Sequence, residues 1–333
     1  MKRIPKLLAS AVLAFATTVA SAAVGPFSSL VVFGDSLSDS GNNSLVFGND
    51  AAQVISSNSY IPSQTYDPSG TYSNGPVWAT QFAGLLGLPL QASLAGGTNF
   101  AYGGAVTGID QTYAVPVPPF SVTLPSLKSQ VNSYLGAVGG TVSSTGLFVV
   151  AGGGNDARGI LEAVAGGGGF GVIPGLVSQY VANVGFMVDA LQAAGAQHIV
   201  VWDTPNIGVT PAVTAAGGSA LGSFIAGSMN AALAARLAGE AGVQTFDIFG
   251  LGALAAANGF TNVVDACGNP LKSCNGDLSH ALFYDGIHPT TAAHSFIASQ
   301  VKALVTPVPE PSEIAMMLVG FLLVVRFAHR KAA

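Results

Sequence analysis

Short runs that are apolar along most of their length, Leu30–Phe33, Leu147–Val150, Ile199–Trp202 and Gln244–Ile248, predict buried strands. Longer stretches in which apolar residues recur at helical spacing fall between or after them, at Leu124–Ala137, Leu176–Ala194, Ser223–Ala241 and Thr290–Val305. Gly195 and Gly242 stand where helices would need a left-handed residue to turn back toward a strand. Strand-helix alternation implies an α/β fold with a central parallel sheet covered by helices on both faces, and sites at the carboxyl ends of strands. Ser36 and Asn155 fall just beyond two such ends, and Thr204-Pro205-Asn206-Ile207-Gly208 follows a third at the same rim. The loops Leu45–Thr71 and Gly108–Pro119 lack periodicity and are expected to wall a pocket. No internal repeat is present.

Both ends depart from this alternation. Lys2, Arg3 and Lys6 lead into apolar Leu7–Ala20 and then Ala20-Ser21-Ala22, which reads as a secretory signal peptide over residues 1–22. One large domain over residues 23–305 follows. Residues 306–333 hold Val308-Pro309-Glu310-Pro311, the apolar run Ile314–Val325 and a basic tail with Arg326, Arg330 and Lys331. That run is shorter than the roughly 20 residues that span a bilayer comfortably. Its proline-rich approach, Val305–Pro309, should be extended linker.

Composition narrows the partners. Half the residues are apolar and 8% are charged, too hydrophobic for a disordered chain. With 11 basic against 16 acidic residues and no basic stripe, nucleic acid is excluded as a partner. Two cysteines are too few for a structural zinc site, and no histidine pair has metalloprotease spacing. In an exported chain, Cys267 and Cys274 are expected to form a disulfide bracing the approach to Asp285 and His288.

The candidate chemistry lies in two distant strings. Gly34-Asp35-Ser36-Leu37-Ser38-Asp39-Ser40-Gly41-Asn42-Asn43 follows the first strand, and Asp285-Gly286-Ile287-His288-Pro289 precedes the last helical pattern. Serine, histidine and carboxylate are the three side chains that make a hydroxyl nucleophilic at neutral pH. The three-residue step from Asp285 to His288 lets a single turn bond the carboxylate to one ring nitrogen and aim the other outward. Pro289 suits the start of the following helix. Blander roles compete: Ser36 as a turn former, Asn155 as a helix cap, His198 as a strand-edge residue. His280 is a distant second choice for the base, with no carboxylate at comparable spacing, and His294 has none either.

Taken together, these strings resemble the GDSL esterase/lipase family, also called SGNH hydrolases. The block Phe33–Asn43 is similar to its first motif and Phe283–Pro289 to its last. Gly97-Thr98-Asn99-Phe100-Ala101-Tyr102-Gly103-Gly104-Ala105 looks like its glycine block, and Gly152-Gly153-Gly154-Asn155-Asp156 like the block carrying its asparagine. Gly70–Trp78 is similar to a segment of the lipase-like branch, though Thr71 and Tyr72 stand where arginine and phenylalanine are frequent; Tyr284 replaces a frequent tryptophan. The resemblance spans roughly Ser28–Val305. It implies a three-layer α/β/α, flavodoxin-like fold, with Ser36 as nucleophile, His288 as general base and Asp285 orienting it. It also implies an oxyanion hole from the Ser36 N–H, a glycine N–H (Gly104 favoured over Gly103) and the Asn155 amide. No cofactor is implied. The implied activity is hydrolysis of carboxylic esters, of a lipid or another small acyl ester, through an acyl-serine. The alternatives are acyl transfer or deacetylation on a surface polysaccharide, or an inactive matrix or adhesion protein. Residues 306–333 resemble the PEP-CTERM sorting signal of Gram-negative bacteria. That likeness implies transient inner-membrane association, cleavage by an exosortase-type enzyme, and final residence at the cell surface or outside.

Overall fold

The computed structural model describes residues 26–50, 55, 58–59, 65–114, 121–268, 274 and 276–306. The expected signal peptide and the C-terminal segment from residue 307 lie outside them.

The first half carries β1 (Ser29–Gly34), α1 (Asn42–Phe47), α2 (Trp78–Leu86), β2 (Gln111–Ala114), β3 (Ser121–Leu124), α3 (Leu127–Ala137), β4 (Gly146–Ala151) and α4 (Gly154–Ala163). Then come α5 (Ile173–Ala193), β5 (His198–Trp202), α6 (Pro211–Ala215), α7 (Ser219–Leu237), β6 (Val243–Phe246), α8 (Leu251–Ala257), β7 (Asn262–Ala266), β8 (Ala281–Phe283) and α9 (Thr291–Val305). Four strands form one parallel sheet in the order β1-β4-β5-β6. Strands β1, β4 and β5 are apolar on both faces because both are covered, whereas edge strand β6 leaves Gln244 and Thr245 exposed. Val31, Phe33, Phe148, Val150, Ile199 and Val201 point into a core closed by α3, α5 and α7. Their neighbours Leu30, Val32, Leu147, Val149, Val200 and Trp202 face α2 and α9. This is the expected α/β architecture with a central parallel sheet between two helical layers.

Gly195, with φ of 107°, follows the end of α5 as expected, but Gly242, with φ of 73°, caps no helix: α7 already ends at Leu237 and Gly242 turns the chain into β6. His198 is the exposed first residue of β5, edge-on to Phe27 at 5.3 Å. Two further expectations need correction. The stretch Leu124–Ala137 is not all helix: Leu124 ends β3, and α3 starts only after Pro125, with the Ser126 hydroxyl accepting from the Ser129 N–H. Nor does Pro289 open the last helix. It forms an antiparallel bridge with Phe283, and Thr290 caps α9 by accepting from the Ala293 N–H. The segment Gly108–Pro119 is also more ordered than expected, because Gln111–Ala114 pairs antiparallel with Ser121–Leu124 as a hairpin.

Beyond β1 the glycine block behaves as an irregular extra strand. Val32 donates to Thr98 O, and the N–H groups of Phe100 and Tyr102 donate to Val32 O and Gly34 O. The block is thereby carried along the edge of β1 to the sheet's carboxyl rim. Among the described residues one helical stretch, Phe170–Ala193, is long and apolar enough to cross a membrane; its Val184, Met187, Val188 and Leu191 are core residues here.

Candidate active site

The nucleophile's position is set by the end of β1. The Gln130 side chain clamps Gly34 from α3, its Oε1 accepting the Gly34 N–H at 2.8 Å and its Nε2 donating to Gly34 O at 2.9 Å. A side chain at Gly34 would meet Ala151 O at 2.6 Å, so only glycine lets β1 lie this close to β4. The chain then turns, with Ser38 and Asp39 N–H groups donating to Asp35 O. Ser36 sits on this turn, nearly buried, with Oγ 2.8 Å from His288 Nε2.

His288 Nδ1 lies 2.7 Å from Asp285 Oδ2. A carboxylate can only accept there, so Nδ1 carries the hydrogen and Nε2 accepts from the Ser36 hydroxyl. The Asp285 side chain is wholly buried and receives three further donors: the N–H groups of Ile287 and His288 on Oδ1 and the Tyr66 hydroxyl on Oδ2 at 2.9 Å. Tyr72 stacks on the imidazole, ring centroids 5.2 Å apart. Gly286 closes this turn against the 58–59 segment: its N–H donates to Ser59 O, and a Cβ there would meet Asn58 O at 2.1 Å. Sequence reasoning places Ser36, Asp285 and His288 together, and so does the structure. Missing from the sequence reading are Tyr66, in the loop Leu45–Thr71, and the role of Tyr72, whose only prior signal is the segment Gly70–Trp78.

Of the three expected oxyanion donors, Ser36 and Asn155 line one cleft, and Gly104 precedes the residue whose carbonyl Asn155 holds. Gly103 N–H is taken by Asp39 Oδ2 at 3.0 Å, whereas no acceptor for the Gly104 N–H occurs among the described hydrogen bonds. Gly104 has φ of +85°. The Asn155 side-chain Nδ2 donates to Ala105 O at 2.9 Å, tying α4 to the glycine block and leaving its second N–H. Asn155 does not cap α4; Gly153 holds that position, with φ of 109°.

A cleft of about 770 Å³, its open mouth included, lies beside these groups. Ser36, His288 and Asn155 line it, with Asp35, Arg158, Asn206 and Thr210, and the rest is largely apolar. Gly104 is not part of this wall. Neither are the described residues of Leu45–Thr71 and Gly108–Pro119, contrary to expectation: the walls come from the loops after β5, β6 and β8 instead. The first long loop serves the catalytic acid, through Tyr66, rather than the pocket. Burial pushes the Asp35 carboxyl up to about 6 against the Leu37 N–H and nearby His288, which favour its anion. Burial pushes His294 down to about 3 and holds it neutral on α9.

The expectation that His280 lacks a carboxylate at comparable spacing is wrong. His280 does have a carboxylate partner at the same three-residue step, Asp277 Oδ2 at 2.9 Å from Nδ1. This second pair is exposed on a short turn, and the pair bonded to Ser36 is the Asp285–His288 one.

Cys267 and Cys274 are disulfide-bonded. The bridge adjoins the catalytic turn directly: Cys267 N–H donates to Phe283 O and Gly268 N–H to Tyr284 O. Among the described residues no three of His, Cys, Asp or Glu converge as metal ligands.

The sequence profile of GDSL-like lipases and acylhydrolases matches residues 30–301. An uncharacterized protein from the trpE-trpG intergenic region of Pseudomonas putida is 29% identical over 92% of this chain and 53% of its own length. Esterase EstA of Pseudomonas aeruginosa is 29% identical over 90% of this chain and 50% of its own. The chain thus spans about half the length of these curated relatives. Among solved structures, a carbohydrate acetylesterase from Sinorhizobium meliloti aligns over 83% of this chain and 99% of its own, with 16% identity and a TM-score of 0.44.

Proposed function

The chain belongs to the GDSL-like lipase/acylhydrolase family, and we propose that it hydrolyses carboxylic esters through an acyl-serine intermediate. The observation that carries this reading is the buried relay Asp285 Oδ2–His288 Nδ1 at 2.7 Å and His288 Nε2–Ser36 Oγ at 2.8 Å. Ser36 Oγ attacks the ester carbonyl carbon while its proton passes to Nε2. Asp285, held by four donors, keeps the ring oriented and stabilises the imidazolium. Negative charge on the carbonyl oxygen is met by the N–H groups of Ser36 and Gly104 and the Asn155 amide, neutral donors worth roughly 3–4 kcal/mol each in such sites. The intermediate collapses as the imidazolium gives its proton to the departing alkoxide. Water, deprotonated by His288, then attacks the acyl-serine and releases the acid.

A fluorophosphonate reagent should label wild-type protein at Ser36, and Ser36→Ala should abolish both labelling and turnover of p-nitrophenyl esters while the fold persists. Near-wild-type turnover by Ser36→Ala would reject the mechanism. The intact relay favours an enzyme over an inactive matrix or adhesion protein.

Export belongs to this reading. It is supported by the basic, apolar and small-residue order of residues 1–22. The Pro-Glu-Pro, short apolar and basic order of residues 306–333 supports brief residence at the inner membrane, then cleavage near Pro309–Pro311 by an exosortase-type enzyme and release to the surface or outside. C-terminal peptide mapping of mature protein from its native host tests this, and retention of Arg330 would refute processing.

A further inference from the structure

The Gly104 N–H asked to meet the oxyanion lies in one peptide plane with the Gly103 carbonyl, so whatever orients that carbonyl orients the N–H. Asn43, buried in the first turn of α1, does so: its Nδ2 donates to Gly103 O at 2.9 Å. A carbonyl oxygen can only accept, which fixes the amide's nitrogen on that side. The same Nδ2 donates to Tyr72 Oη at 2.7 Å, and the Tyr72 ring stacks on His288. One amide thereby ties the oxyanion peptide to the general base. Further bonds stop the unit from sliding. Asp39 Oδ2, wholly buried, accepts both the Asn43 N–H at 3.1 Å and the Gly103 N–H at 3.0 Å. Beyond Gly104, Asn155 Nδ2 holds Ala105 O. The packing leaves no room for a side chain, since a Cβ on Gly103 would meet Tyr72 Cε2 at 2.3 Å and Asn43 Nδ2 at 2.7 Å. Asn43 Oδ1 is buried and accepts from no group among the described residues, so the amide is kept for its nitrogen while its oxygen goes unsatisfied.

We propose that Asn43 is a positioning residue for the oxyanion hole: by bonding Gly103 O it sets the Gly103–Gly104 peptide so that the Gly104 N–H points away from Asn43 and toward the ester's carbonyl oxygen. In a trans peptide the two groups face opposite ways, so one bond to the carbonyl fixes both. That bond also polarises the amide and strengthens its N–H as a donor. The proposal rests on the acyl-serine reading for the charge that Gly104 meets.

Asn43→Leu keeps the branched shape and removes the donor, and Asn43→Ala removes the whole amide. In each full-length variant kcat on p-nitrophenyl acetate should fall about ten- to hundredfold, short of the roughly 10²–10³ for outright loss of an oxyanion donor, with KM within about twofold. Binding of an alkyl trifluoromethyl ketone, whose hemiketal with Ser36 carries an oxyanion, should weaken by the same factor as kcat. A side chain that only packs would not link the two. Wild-type kcat in variants with wild-type circular dichroism, a loss confined to KM, or a fall in kcat without weaker ketone binding would each overturn the proposal. Tyr72→Phe deletes the amide's other partner and spares its bond to Gly103, so its loss of kcat should be smaller by about threefold or more. An equal loss would place the effect on His288 and overturn the proposal. One measurement needs no variant to fold: in the wild type the Gly104 amide proton resonance should move downfield when the ketone adduct forms, and an unmoved resonance would overturn it. A wild type inert toward esters and ketone alike would sink the hydrolytic reading and the proposal together, whereas an active wild type with unimpaired Asn43 variants sinks the proposal alone.

Discussion

Tyr66 and His288 Nδ1 share one carboxylate oxygen of Asp285, so the tyrosine modulates the acid from outside the triad. Tyr66→Phe keeps the ring packed against Tyr72 and Tyr284 and deletes only the donor. The carboxylate then holds the imidazolium more tightly and is itself less well fixed. We expect kcat/KM to fall about three- to tenfold, in line with a hydrogen bond to a charged group. Asn155→Ala should cost about 10²–10³ in kcat with KM little changed, because its amide acts on charge that exists only in the transition state. A loss confined to KM would remove Asn155 from the oxyanion hole. Ser36, Asp285 and His288 were legible because each lies in a short string whose local geometry carries the chemistry. Tyr66 was not, since it meets Asp285 across 219 residues of chain and no local pattern encodes that meeting. Asp277–His280 makes the converse point: the same spacing, exposed on a turn away from Ser36, is only a surface pair.

At the scale of elements, the catalytic turn after β8 is held by the 58–59 segment and by the disulfide-bonded residues that follow β7. Replacing Cys267 and Cys274 together by serine removes a small-loop constraint worth roughly 2–3 kcal/mol, so Tm should fall by on the order of 5 °C. Because Cys267 and Gly268 donate to the backbone immediately before Asp285, turnover should fall in the same variant. Unaltered melting and turnover would show that the bridge braces nothing. Strands β1, β4 and β5 were readable from the sequence because burial on both faces makes them apolar runs, with β1 spanning Ser29–Gly34 where Leu30–Phe33 was expected; edge strand β6 lacks that signal, its Gln244 and Thr245 being exposed. Helix starts were less readable. α7 begins at Ser219, four residues before the expected Ser223, because Gly-rich sequence masks where the helical turn is first joined. The β2–β3 hairpin was invisible for a different reason. Its strand Gln111–Ala114 alternates no apolar face and is held by pairing rather than by burial.

For the molecule as a whole, a chain with only 8% charged residues still buries several of its acids, and that ties stability to pH. Asp35, Asp39 and Asp203 are each pushed up to about 6 from the ordinary 3.8, with burial the largest cause in every case. An acid whose folded pKa lies above its unfolded one binds more protons in the native state between those values. Its contribution to stability is therefore complete below about 3.8 and is lost as pH rises through about 6. The denaturant midpoint of the wild type should accordingly decline from pH 4 to pH 6, the reverse of a protein held by ionised surface carboxylates. Asp203 offers the cleanest probe, because its Oδ1 alone accepts the Ile248 and Phe249 N–H groups, and an asparagine oxygen can do the same. Asp203→Asn should keep the loop after β6 in place and flatten the pH 4–6 decline in part, the other buried acids, Asp156 among them, remaining raised by burial. If the midpoint of the wild type rises over that interval, or the slope of Asp203→Asn equals that of the wild type, Asp203 is ionised throughout and its two backbone donors outweigh its burial.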